Sequence, residues 1–156
     1  MNLSPGKLNK YLMIKLPSAW ITGVRVVSID DEQCTVKVKH RWINQNPFNS
    51  MYFAVQAMAA ELSTGALVMS QIQNSGAKIS MLVAQNRSVF NKKATGKIHF
   101  ICNDGNLISG AIKQTLASGE GQTFWMRSRG IDENGVEVSG FEFEWTIKAK
   151  GDTSGM

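Results

Sequence analysis

Few groups in this chain of 156 residues have the type and setting to do chemistry, and Glu61 comes first. It is the single acid in the stretch Asn46 to Gln73, NPFNSMYFAVQAMAAELSTGALVMSQIQ, which is the one long apolar segment. On a helical wheel at about 100° per residue, Gln56, Ser63, Ser70 and Gln71 gather on one side. Glu61 falls instead among Ala54, Ala57, Val68 and Ile72. Burying an ionised carboxylate is costly unless it is paired or hydrogen-bonded, so either a donor elsewhere satisfies this acid or a function retains it. Just upstream stands Asn46, which before Pro47 is either a turn residue or a polar group held in front of a helix. Asn49 and Ser50 are the plausible N-caps of that helix, because Pro47 forbids a helix before them. The end they open suits negative charge. Tyr52 and Phe53 read as pocket-wall or core aromatics.

Other reactive side chains give less. Cys34 and Cys102 lie in alternating runs with no CxxC or Cys/His spacing, so no metal site is expected and both read as reduced, half-buried thiols. His40 lies on the apolar side of its run, as a core or interface histidine. The formal net charge is +5, which suits a polyanion, yet the bases are scattered and do not form a block. A small phosphorylated ligand accounts for the excess as well as nucleic acid does. Lys92, Lys93, Arg87, Arg127 and Arg129 are the cations that could receive its phosphates, a solvated face being the other account of each. Without interleaved aromatic and basic residues, no nucleic-acid partner is expected.

These groups need elements to position them. The hydrophobic fraction of 43% is that of a globular domain able to bury a core, and a single domain is expected over residues 1–150 with a flexible tail over 151–156. Lys7 to Lys15 reads as a short amphipathic helix ended by Pro17. Val24 to Ile29 and a run alternating from Cys34 to Trp42 form a hairpin with one wet face. The apolar segment is a buried central helix of some twenty residues. Ile79 to Phe90 and Gly96 to Cys102 are strands; Leu107 to Leu116 recurs at helical spacing; Gln122 to Ile131 and Val136 to Ala149 are strands joined through Asn134-Gly135. Long antiparallel strands around one buried helix make an α+β arrangement whose sheet must curl to cover the helix. No secretory leader pattern is present and a cytoplasmic location is the default. Tyr52 to Ile72 has the length of a membrane span, but Gln56, Glu61, Ser63, Thr64 and Ser70 interrupt it, so no membrane insertion is expected.

In element order along nearly the whole chain, and in Asn46, the Ser50-Met51-Tyr52-Phe53-Ala54 helix start and the Ala60-Glu61 pair, the sequence resembles the hotdog-fold thioesterase-like superfamily. Its nearest likeness is to the PaaI-type acyl-CoA thioesterases and an uncharacterised branch of them. The resemblance implies a hotdog fold, a curled antiparallel β-sheet wrapped around a long central α-helix, with two short helices added. It implies a homodimer or homotetramer with a thioester site at the dimer interface, the substrate being an acyl-CoA or acyl-carrier thioester. No cofactor is implied beyond coenzyme A as part of that substrate. Glu61 would be general base or nucleophile, the Phe53 or Tyr52 N–H would hold the oxyanion, and Asn46 would orient water or the carbonyl. Ser50 and Ser80 are further candidate substrate contacts, with an ordinary outward strand residue the other account of Ser80. Where the active members commonly have His-Gly-Gly, this chain has Met51, Tyr52 and Phe53. A non-catalytic acyl- or coenzyme-binding protein is therefore the alternative.

Overall fold

The computed structural model describes residues 3–151. Helix α1 (Pro5–Lys15) begins where Ser4 accepts a hydrogen bond from the Lys7 N–H and Pro5 takes the first helical position, a place where a missing N–H costs nothing. Pro17 ends α1 as expected, and by the same rule it opens a third short helix that the sequence did not suggest, α2 (Pro17–Ile21). Strands β1 (Arg25–Ile29) and β2 (Cys34–Lys39) follow, turned by Asp30, whose carboxylate accepts from the Glu32 and Gln33 N–H groups. The alternating run does not continue to Trp42. β2 stops at Lys39, and Trp42–Asn44 form a 3-10 turn that leaves Trp42 83% exposed. Buried Asn44 accounts for the break: its amide donates to the carbonyls of Thr22 and Lys39, and its oxygen accepts from the Arg41 N–H.

The central helix α3 (Phe53–Ser75) starts later than Asn49 or Ser50, with Tyr52 as its N-cap. The delay has a cause in the preceding loop, where Asn49 takes φ 58 and the Asn46 carboxamide oxygen accepts from the N–H groups of Phe48 and Ser50. Beyond α3 come β3 (Ile79–Phe90), β4 (Lys97–Cys102), α4 (Asn106–Ser118), β5 (Gln122–Ile131) and β6 (Glu137–Ala149). Six strands form one antiparallel sheet in the order β1-β2-β4-β5-β6-β3. Its inner face, including Val36, Val38, Ile98, Phe100, Phe141, Phe143 and Ile147, packs with Ala59, Ala60, Ala66 and Leu67 of α3 in one core. A curled sheet wrapped around a long helix is the hotdog fold. α3 is long and apolar enough by length and composition to cross a membrane, yet the sheet buries most of it. The tail expected at the C-terminus falls, from residue 152 on, outside the described residues.

The two edges of the sheet differ. On β1, the Asn9 side chain of α1 donates to the Val26 carbonyl at 3.0 Å and accepts from the Val26 N–H at 2.9 Å. At the other end β3 pairs only with β6, and among the described residues nothing bonds to its outer edge. β3 also carries an irregularity between Val83 and Gln85. Before it Ile79, Met81 and Val83 face inward; after it Asn86, Ser88 and Phe90 do, opposite Phe143, Phe141 and Ser139. Asn86, Ser88 and Phe90 are nevertheless exposed, whereas their partners on β6 are buried.

Candidate active site at the start of the central helix

α3 opens without a side-chain cap. The N–H of Tyr52 is taken by the Asn44 carbonyl at 2.9 Å, and those of Val55 and Gln56 turn back to the Tyr52 carbonyl. The N–H groups of Phe53 and Ala54 have no acceptor among the described residues. First-turn amides of a helix are unsatisfied by geometry and carry the positive end of its dipole, so this is a ready place for an oxygen bearing negative charge. Of the two donors expected from sequence, Tyr52 is thus excluded and Phe53 is free; Ala54, not anticipated, joins it. In front of these amides lies a groove of about 520 Å³ bounded by Asn46, Ser50, Tyr52, Phe53, Gln56 and Phe90, among others. Phe53 meets Tyr52 and Phe90 edge-to-face, with ring centroids 5.1 and 6.2 Å away.

Asn46 and Ser50 reach this groove, but their polar atoms are largely engaged with each other. The Asn46 amide donates to Ser50 Oγ at 3.0 Å, and its oxygen accepts from the Ser50 N–H and hydroxyl at 3.2 Å. Asn46 therefore builds the loop that presents the helix end. Gln56 was missed by sequence reasoning because it sits with the polar residues of the wheel. It is buried, its amide donates to the Met51 carbonyl at 3.3 Å, and its Oε1 has no donor among the described residues.

Glu61 lies two turns further along, about 12 Å from Phe53 at roughly 1.5 Å per residue. Its carboxylate accepts no hydrogen bond and forms no ion pair among the described residues, and burial pushes its pKa up from the ordinary glutamate value. It stands beside Gly65 and the Trp145 ring: a Cβ on Gly65 would lie 3.0 Å from Trp145 Cζ2 and 3.4 Å from Glu61 Oε1. The indole N–H of that Trp145 is committed to Thr64 Oγ1 at 2.9 Å. Ser80 is not brought to this region. It faces outward opposite Lys148, whose carbonyl its hydroxyl bonds.

The cations singled out in the sequence are mostly paired within the chain. Arg87 bridges to Glu142, Lys92 to Asp132, and Arg127 and Arg129 to Glu137, while Lys93 donates to the Phe48 carbonyl. His40 is partly buried, and its Nε2 has no partner among the described residues. Both cysteines are free, and they are fully buried where half-buried thiols were expected.

A family model described as "Domain of unknown function (DUF4442)" matches residues 6–147. The chain belongs to this DUF4442 family. No curated protein matches it. Among solved structures it is similar to a protein of unknown function and probable thioesterase from Pseudomonas aeruginosa, with a TM-score of 0.81, 20% identity and 96% and 99% of the two chains covered. It is also similar to a putative thioesterase from Shewanella oneidensis (TM-score 0.75, 11% identity, 94% and 97% covered) and to a thioesterase from Haemophilus influenzae (TM-score 0.75, 8% identity, 99% and 97% covered). At such identities the likeness establishes the fold, a thioesterase-like hotdog. DUF4442 membership and this fold agree with the resemblance carried by the Asn46-to-Glu61 segment.

Proposed function

We propose that this DUF4442 protein is a thioesterase, hydrolysing an acyl-CoA or acyl-carrier thioester at a site shared by two copies of the chain. The observation that carries the reading is the pairing, on one helix, of a half-buried carboxylate and a first turn with two N–H groups, none of which has a hydrogen-bond partner among the described residues. In one chain these lie about 12 Å apart, too far to act on one carbonyl. Two α3 helices meeting at a dimer interface would set the Glu61 of one copy against the helix start of the other. The bare β3 edge supports such an assembly, since an unpaired edge is a template for another strand.

In this reading Glu61 takes a proton from water, the water oxygen attacks the thioester carbon, and the Phe53 and Ala54 N–H groups hold the resulting oxyanion. Collapse breaks the carbon–sulfur bond, and the thiolate leaves with the proton carried by Glu61. A carboxyl whose pKa is raised by burial is a stronger base than an exposed one, which suits this role. Release of free thiol from a panel of acyl-CoAs tests the proposal. Glu61→Gln should lower turnover by about a hundredfold or more, and wild-type turnover no greater than that variant's on every chain length would overturn it.

Phe53 favours a second reading. Its side chain, where glycine is common in active members, is 55% exposed at the groove and narrows the approach to its own N–H. In that reading the protein binds acyl-coenzyme A without hydrolysing it. The sign is a rise in melting temperature with acyl-CoA and no thiol release.

A further inference from the structure

On the outer face of the sheet, cationic side chains converge. Register places Arg25 opposite Lys37 and Lys37 opposite His99, with Lys39 opposite Lys97 in the next row. Arg41 follows at the end of β2, and Gly23, Arg25, Lys37, Lys39, Arg41 and Lys97 bound one groove of about 270 Å³. Like charges directly opposite on neighbouring strands repel, yet among the described residues none of these five cations belongs to an ion pair, whereas Arg87, Lys92, Arg127 and Arg129 all do. The carboxylate of Glu133 stands at the rim of the patch, where its Oε1 accepts from the Lys97 backbone N–H at 2.8 Å.

Arg25 is held in place, and Arg41 lies close by with its donors unengaged. The Arg25 guanidinium lies 3.3 Å from the centre of the Trp20 ring, and one of its nitrogens donates to the carbonyls of Trp20 and Val24 at 2.8 Å. Arg41 rests against Gly23, which has φ 95; a Cβ there would stand 2.6 Å from Arg41 Nη2. None of the Arg41 side-chain donors has an acceptor among the described residues. A guanidinium seated over a glycine, beside a second one locked by stacking, presents planar donor forks suited to phosphate oxygens.

We propose that this groove is a binding site for a compact polyphosphate group bearing two or more negative charges, such as a diphosphate. The small volume fits one such group better than a polymer backbone. Lys37, Lys39 and Lys97 alternate with Val36, Val38 and Ile98, which face α3. The site therefore lies across the sheet from the helix and stands independently of the thioester reading.

The test is titration of the whole protein with pyrophosphate and, separately, with vesicles of phosphatidylcholine with and without phosphatidylinositol bisphosphate. The readouts are calorimetry or sedimentation and amide chemical shifts. Pyrophosphate should bind, perturb residues 23–25, 37–41 and 97–99, and lose about tenfold or more in affinity in Lys39→Glu/Lys97→Glu, with Lys10→Glu/Lys113→Glu unchanged as the charge-matched control. His99 supplies a second readout. Its pKa is lowered by burial and by Lys97 and Lys37, and an anion among those lysines should raise it. Binding of pyrophosphate alone identifies a soluble ligand, and added binding of the bisphosphate vesicles identifies a lipid headgroup; either supports the site. Absence of binding in both arms, or binding that survives the reversal or maps to Lys92 and Lys93, overturns it.

Discussion

A carboxyl group without a donor inside a protein resists ionisation, and for Glu61 this links function to stability. Because its folded pKa lies above the unfolded value, the folded state holds the proton more tightly. Stability from this group is full below the ordinary glutamate range and falls as pH rises through the raised pKa. Glu61→Gln should therefore stabilise the protein by about 1 kcal/mol at neutral pH, while lowering thiol release by about a hundredfold or more. The gain should vanish in melting curves taken below the carboxylate range. The acid limb of kcat/KM for the wild type should likewise lie above that range. Cys34 and Cys102 face each other across β2 and β4, and burial pushes both thiols up to about 12. A thiol reagent should modify neither in the native protein and both after denaturation. Glu61 was legible in the sequence because a lone charge in an apolar stretch stands out. The engagement of Asn46 with its own loop, and of the Tyr52 N–H with Asn44, was not, since both depend on partners fixed only by the folded chain.

Elements were legible where one physical signal governed them. The Asp30–Gln33 turn and the Asn134-Gly135 hairpin lie where their turn residues mark them, and α3 reads as a core helix from its apolar girth. Boundaries set by a contact distant in sequence were hidden: Asn44 reaching Thr22 truncates β2, and the irregularity near Ala84 turns Ser88 and Phe90 inward, a change of face that no simple alternation displays. One such contact docks the start of α4. The Gly105 N–H donates to the Glu32 carbonyl, and Gln71 of α3 donates to the carbonyls of both Asp31 and Gly105. A Cβ on Gly105 would lie 2.2 Å from the Asp31 carbonyl oxygen, so backbone would have to move. Gly105→Ala should cost about 3 kcal/mol, read as a lowered urea midpoint, whereas Gly110→Ala, with open space around it, should not destabilise.

For the molecule as a whole, exposed apolar side chains are spread over the surface, Trp42 and Ile14 among them, and one group lies at the start of α3 and along β3: Tyr52, Phe53, Leu82, Val89 and Phe90 are each more than 45% exposed. A second copy pairing along β3 would cover part of this surface. Light scattering should give at least a dimer, and the outward amides of β3 should exchange slowly in it and quickly on dilution. A strict monomer at working concentrations would remove the shared site. At the opposite edge, Asn9→Leu removes two hydrogen bonds and should destabilise by about 1–3 kcal/mol. The larger effect expected is concentration-dependent association. Asn9 makes the strand system one that can be extended from a single side, like a polymer unit with one end blocked. Joining two bare ends leaves only blocked ones, so growth terminates at two chains. Without that amide the unit becomes bifunctional, and runaway elongation into fibres, detectable by a dye specific for cross-strand stacks, becomes open to it.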